Sequence, residues 1–164
     1  MNKLKVKQMM IGIAIVVALI IIDQVTKTIV VKNIKGQDNV VFIKNFITFT
    51  YVENDGGAWG VLSGRMWLFY AITIFAIGLF GYMMKNFDLK GNLLYSLSVS
   101  LMLSGTIGNF IDRLFRKIVV DFIDVDIFSY RSFPVFNVAD MCLTVGVCLL
   151  IVDILFNKNS HFLR

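Results

Sequence analysis

Long runs of apolar residues constrain the fold of this chain more than any other feature of its sequence. A helix needs about 20 residues to cross the hydrocarbon core of a bilayer, and four segments approach or reach that length. Of the 164 residues, 57% are hydrophobic and one is proline, a composition that argues against an ordinary water-soluble domain. We therefore predict one α-helical membrane domain over residues 1–164, with spans at about 8–26, 66–85, 92–112 and 136–156.

The first apolar segment resembles the start of a signal peptide, because it is preceded by Lys3, Lys5 and Lys7. No small-residue cleavage site follows it, so we expect it to remain as the first helix. Four spans place both termini on one side of the membrane. Charge counting does not identify that side, because the segment is followed by equally many lysines: Lys27, Lys32 and Lys35.

The net charge of +5 is spread along the chain rather than concentrated in one patch. This distribution predicts no nucleic-acid partner. Cys142 and Cys148 are six residues apart on one predicted helix, which places them beyond disulfide reach and favours a packing role. Nothing in these features predicts the oligomeric state.

The main hydrophilic region, at about 32–65, contains the signals of a small β-sheet. The segments "NVVFI" (39–43) and "ITFTYV" (47–52) are rich in β-branched and aromatic residues, which predicts a hairpin. "ENDGGAWG" (53–60) then supplies the residues of a tight turn. The segment from Ala58 to Met66 is predicted to be a short interfacial helix, with Trp59 and Trp67 at headgroup depth. The second hydrophilic region, at about 114–135, is predicted to be a loop.

A stripe of small residues winds along the third span and ends in a carboxylate. Its members recur at i+4 spacing: Ser96, Ser100, Ser104, Gly108 and Asp112. Close helix packing explains the serines and the glycine. It does not explain Asp112.

Most of the acidic residues are predicted to lie at one membrane surface, because successive spans alternate in direction. That group comprises Asp23, Asp38, Glu53, Asp55, Asp112, Asp121, Asp124, Asp126 and Asp140. Asn137 and Asp140 have the spacing of a capping box, so Asp140 is equally well interpreted as a helix cap or a catalyst. Asp124 and Asp126 are predicted to be solvated loop residues.

The remaining side chains narrow the possible chemistry to carboxylates. His161, the one histidine, lies near the C-terminus on the other predicted surface, which argues against Ser-His, Cys-His and histidine-zinc catalysis. Two adjacent aspartates can share a proton and act as general acid and base in peptide hydrolysis. We expect neither a metal nor a cofactor. The alternative is a small proton-coupled transporter, although such proteins tend to hold their acids near the midplane.

Five short motifs occur in order: "DQVTK" (23–27), "NDGGAWG" (54–60), "GNFIDR" (108–113), "VVDF" (119–122) and "FNVAD" (136–140). In this order they resemble the motif set of the bacterial lipoprotein signal peptidases, or signal peptidase II. The resemblance implies an aspartic endopeptidase of the cytoplasmic membrane that cuts prolipoproteins before a diacylglyceryl-modified cysteine. It also implies cytoplasmic termini, with the sheet and the active site at the outer surface, in contact with membrane lipids.

By position, the resemblance makes Asp121 and Asp140 the catalytic pair. It further assigns residues that bind substrate or organise the site: Asp23, Lys27, Asn54, Gly56, Asn109, Asp112, Arg113 and Asn137. Two positions depart from the family pattern. Gly57 replaces alanine or serine, and Lys117 stands where glycine is common, so a backbone turn with positive φ would be strained there.

Overall fold

The computed structural model describes residues 3–57, 65–126 and 133–157. Within these ranges, four helices are long and apolar enough to cross a membrane. The helices are α1 (Lys3–Asn33), α2 (Met66–Met83), α3 (Leu93–Arg116) and α4 (Val138–Phe156), and a one-turn 3₁₀ helix (Met84–Asn86) follows α2. The strands are β1 (Val40–Ile43), β2 (Ile47–Asn54) and β3 (Val119–Val125). Of the interfacial helix predicted from Ala58 to Met66, residues 58–64 lie outside the described ranges, and Met66 is the first residue of α2.

Helix α1 is longer than the predicted span at both ends. Its 31 residues extend about 46 Å. The extra turns at its C-terminal end include Lys27, which is completely buried, and Val30, which packs with Ile34 against the sheet. A residue that was predicted to flank a span is therefore part of the protein interior.

Helix α3 is the central element and packs against the other three helices. The predicted stripe is buried, with Ser96, Ser100 and Ser104 at most 2% exposed. A Cβ atom added at Gly108 of the stripe would lie 3.2 Å from Ala139 Cβ on α4, and one added at the adjacent Gly105 would lie 2.4 Å from the Ala139 carbonyl oxygen. The small residues thus permit the close helix contact that the sequence predicted. Of the two cysteines on α4, Cys142 is buried as expected, whereas Cys148 is exposed.

The sheet has the antiparallel order β1-β2-β3. Its hairpin agrees with the prediction, but β2 continues to Asn54, where it pairs with Val119. The prediction of a loop at 114–135 is wrong in its first half, because α3 extends to Arg116 and β3 follows. Strand β3 is held along β2, about 70 residues earlier in sequence, and a local pattern does not reveal such a partner. Asp124 accordingly lies in a strand, opposite Thr48, rather than in a loop.

The junction between α3 and β3 is a left-handed turn at Lys117, where φ is +62°. This is the positive-φ position predicted from the family pattern. Only glycine adopts such a conformation without steric cost, and asparagine tolerates it better than lysine does.

We predict that Lys117→Gly stabilises the protein by about 0.5–1 kcal/mol, because it relieves the left-handed strain. The measurement is thermal unfolding in detergent, with Asn45→Gly as the matched control. Asn45 also has a positive φ, of 59°, but asparagine adopts it readily and should gain less. A destabilised Lys117→Gly variant would show that the lysine side chain contributes more to the free energy of unfolding than the left-handed backbone conformation costs.

Candidate active site

Asp121 lies on β3 and is 2% exposed. Its two carboxylate oxygens accept hydrogen bonds from two different asparagine amides. Asn54 Nδ2 donates to Oδ2 at 2.8 Å, and Asn137 Nδ2 donates to Oδ1 at 2.6 Å. The donors come from β2 and from the residue that precedes α4, so the side chain of Asp121 is oriented from both sides.

Burial raises the pKa of Asp121 from 3.8 to about 6. The amide of Asn54 opposes this shift, the charge of Asp140 adds to it, and the amide of Asn137 again opposes it. Removal from water disfavours the charged form of a carboxyl group, whereas hydrogen bonds to the carboxylate favour it. Asp121 can therefore change its protonation state close to neutral pH, as a general acid or base must.

Asp140 occupies the first turn of α4 and completes the predicted capping box. Asn137 Oδ1 accepts from the Asp140 backbone N–H at 2.9 Å, and Asp140 Oδ2 accepts from the Asn137 backbone N–H at 3.1 Å. The other carboxylate oxygen, Oδ1, accepts from Asn109 Nδ2 at 2.8 Å and so connects Asp140 to α3. Capping therefore uses one of the two oxygens of Asp140 and does not exclude a second role.

Asn137 is the link between the two acids. Its Nδ2 donates to Asp121 and also lies 3.2 Å from Asn109 Oδ1, while its Oδ1 and backbone N–H bind Asp140. The residue is completely buried. One asparagine thus fixes the two carboxylates relative to each other.

A buried ion cluster lies behind the two acids. Lys27 Nζ is 2.9 Å from Asp23 Oδ2 and 3.0 Å from Asp112 Oδ2. The same ammonium donates to Asn109 Oδ1 at 3.0 Å. Because an ammonium offers only donors, the oxygen of Asn109 must face Lys27 and its NH₂ group must face Asp140.

Each acid of the ion cluster also holds the backbone next to one candidate catalyst. Asp112 Oδ2 accepts from the N–H of Val120, which precedes Asp121. Asp23 Oδ1 accepts from the N–H of Ala139, which precedes Asp140. The cluster thereby orders the main chain on both sides of the site.

A cavity of about 820 Å³ opens beside the two acids. Asp121, Asp140 and Arg113 line it, together with the end of β2, Asp55 in the turn that follows, and part of α4. Arg113 Nη2 donates to the carbonyl oxygen of Gly56 at 2.9 Å, and the Gly56 N–H donates to Asn54 Oδ1 at 2.9 Å. The turn after β2 is therefore connected to the acids through Asn54.

The structure brings all ten residues predicted for the site into one hydrogen-bonded network. From the ion cluster to the turn, its members are Asp23, Lys27, Asp112, Asn109, Asp140, Asn137, Asp121, Asn54, Gly56 and Arg113. Sequence reasoning missed Gln24, whose amide donates to Asp23 and Asp112, and Arg116, which binds Asp112. The spacing of Asp112 and Arg116, four residues apart on one helix, was the available signal for an ion pair.

Comparison with known proteins identifies the family. The family described as "Signal peptidase (SPase) II" matches residues 15–156. The chain belongs to the signal peptidase II family. Members of this family are membrane proteases. Family membership therefore supports the predicted peptidase and excludes the alternative, a proton-coupled transporter.

Curated relatives and solved structures cover nearly the whole of this signal peptidase II family member. The lipoprotein signal peptidase of Staphylococcus carnosus is 44% identical over 146 residues, which cover 89% of this chain and 91% of its own length. That of Staphylococcus haemolyticus is 45% identical over 151 residues, 92% and 94% of the two lengths. A solved bacterial membrane enzyme superposes with a TM-score of 0.79 at 43% identity, covering 90% of this chain and 94% of that one.

We predict that Asn54→Ala moves the limb of the pH–activity profile that reports Asp121 from about pH 6 to higher pH. The Asn54 amide favours the ionised carboxylate, so its loss raises the pKa of Asp121 further. The measurement is kcat/KM as a function of pH. Asn33→Ala, which removes an exposed amide bound to the Ile29 carbonyl, is the control and should leave the limb in place. A limb that stays near pH 6 in Asn54→Ala would argue against assigning this limb to Asp121.

Proposed function

We propose that this chain is a lipoprotein signal peptidase that hydrolyses the peptide bond before a lipid-modified cysteine, with Asp121 and Asp140 as its catalytic pair. The observation that carries the proposal is the placement of both carboxylates on one cavity, tied together through Asn137. The names of the curated relatives supply the substrate class, which is prolipoproteins.

The proposed reaction needs one ionised and one protonated aspartate. The ionised carboxylate removes a proton from a water molecule while the oxygen of that water attacks the scissile carbonyl carbon. The protonated partner donates to the carbonyl oxygen, which gives a neutral tetrahedral intermediate. Collapse of the intermediate breaks the C–N bond, and the carboxyl group that took the proton from water gives it to the leaving amine. One hydroxyl group of the intermediate returns its proton to the other carboxylate, so both aspartates regain their starting protonation states.

The asparagines around the pair suit this chemistry. A side-chain amide holds its hydrogen atoms at neutral pH, so Asn54, Asn109 and Asn137 orient the carboxylates without exchanging protons with them. Each carboxylate oxygen has two acceptor positions, and an amide or backbone N–H fills one of them. The remaining positions can bind the attacking water.

The proposed location of the reaction is the outer surface of the cytoplasmic membrane, with both termini in the cytoplasm. Asp121 lies on β3, just after α3, and Asp140 lies in the first turn of α4, so the pair lies at the ends of two spans rather than within them. A substrate cysteine that carries two acyl chains would be anchored at this depth, because each buried methylene adds about 0.8 kcal/mol to membrane binding. The membrane lipids thereby become part of substrate positioning.

We predict that Asp121→Asn and Asp140→Asn each reduce kcat by about 10³-fold or more, because an amide has the shape of a carboxylate but cannot transfer a proton. Cleavage of a lipidated prolipoprotein by the purified protein is the assay. Asp124→Asn is the matched control, since Asp124 lies on the same strand and is bound neither to Asn54 nor to Asn137 among the described contacts. Normal turnover by either of the first two variants would overturn the assignment of the pair.

We predict that the same precursor without its lipid is cleaved far more slowly, by about 100-fold or more. The lipid converts a rare encounter with the site into an effectively intramolecular one. The two forms should be compared in one detergent or bilayer, and a lipidated precursor with a scrambled mature region controls for peptide sequence. Equal rates would show that the site recognises the peptide alone.

A further inference from the structure

Arg116 has no part in the proposed reaction, yet it contacts the ion cluster behind the catalytic pair. Its guanidinium binds Asp112 Oδ1. The same oxygen is 3.4 Å from Gln24 Nε2, while Oδ2 receives Lys27 and the Val120 N–H. Four donors therefore surround Asp112, which matches the four acceptor positions of a carboxylate.

The charges of the buried residues do not balance without Arg116. Asp23 and Asp112 carry two negative charges, and Lys27 carries one positive charge. The side chains of these three residues are at most 2% exposed, whereas that of Arg116 is 31% exposed. Arg116 thus supplies the fourth charge from the edge of the cluster and makes its net charge zero. A buried surplus charge would otherwise lie close to the catalytic pair, where it is costly.

The cluster can transmit a disturbance to both catalytic residues. Asp112 holds the Val120 N–H and Asp23 holds the Ala139 N–H, each one residue before a catalytic aspartate. Lys27 contacts both acids and also orients Asn109, which donates to Asp140. If Arg116 is absent, Asp112 competes more strongly for Lys27, and the negative field of the cluster increases.

We propose that Arg116 is a positioning residue that balances the charge of the Asp23–Lys27–Asp112 cluster and thereby sets the pH range in which the catalytic pair works. This inference rests on the proposed function. It concerns a residue outside the five motifs, and it assigns Arg116 no contact with substrate.

Other charged groups also face Asp121 and remain in place when Arg116 is changed. Asp140 faces it from α4, Lys27 from α1 and Arg113 from α3, while Asp23 and Asp112 lie behind the pair in the ion cluster. Glu53 on β2 and Asp55 in the turn after β2 line the same cavity. Neutralising Arg116 therefore adds one unbalanced negative charge to a constant background, which raises the pKa of Asp121.

The test is the pH dependence of kcat/KM for a lipidated precursor in detergent micelles, measured for Arg116→Gln, Arg116→Met and Arg116→Lys. The two neutral variants should shift the profile to higher pH by about half a unit. The shift is small because Arg116 contacts Asp112 and does not contact Asp121 directly. Arg116→Lys retains the charge and should restore the profile. Lys117→Gln is the matched control, since it removes the neighbouring positive charge, which contacts Tyr70 rather than Asp112.

Three outcomes would overturn the inference. These are an unshifted profile in both neutral variants, an equal shift in Lys117→Gln, and a loss of kcat with no movement along the pH axis in variants that remain folded by circular dichroism. Asp121→Asn separates this inference from the proposed function. If Asp121→Asn is inactive and the Arg116 variants keep the original profile, only the role of Arg116 fails.

Discussion

The rest of the site depends on the contacts of one buried ammonium group, that of Lys27. An ammonium group has three N–H donors, and here they meet three acceptors, on Asp23, Asp112 and Asn109. Isolated buried ion pairs often contribute little, because desolvation offsets their attraction, but removing one partner of such a pair costs about 3–5 kcal/mol. Without Lys27, two buried carboxylates would repel each other, and both backbone anchors next to Asp121 and Asp140 would loosen.

The ion cluster requires close packing of the helices that carry it. A Cβ atom at Gly108 would lie 2.7 Å from Asp23 Oδ2, so only glycine at this position on α3 lets the carboxylate of α1 approach. Gly105, one turn earlier, does the same for the backbone of α4. The sequence predicts only close helix packing from the small-residue stripe. The stripe therefore also makes room for the carboxylate of Asp23, which links the packing of the bundle to the ion cluster.

Apolar length and β-branched clusters were sufficient to predict the four helices and the hairpin, because both signals are local. Strand β3 was missed because its partner, β2, precedes it by about 70 residues. For the same reason, spacing alone could not bring Asp121 next to Asp140, and that pairing came from the family resemblance. Arg116 and Gln24 were missed because their roles depend on Asp112 and Asp23 being buried. The i, i+4 spacing of an acid and a base on one helix indicates that an ion pair is possible. It does not indicate that the acid is buried.

The helix cap formed by Asp140 is compatible with the catalytic role that we propose for this residue. The first turn of α4 has free N–H groups and the positive end of the helix dipole, both of which favour a carboxylate. Asn137 satisfies one of these groups with its side chain, so Asp140 contributes only Oδ2 to the cap and directs Oδ1 to Asn109. Asp140 is thereby held by two partners near the end of the span, and acceptor positions are left for a water molecule. A carboxylate in the middle of α4 would lack the cap and the dipole, and it would lie deeper in the hydrocarbon, where its charge is most costly. In the first turn of α4, the fold itself therefore stabilises the charged carboxylate that the proposed mechanism needs.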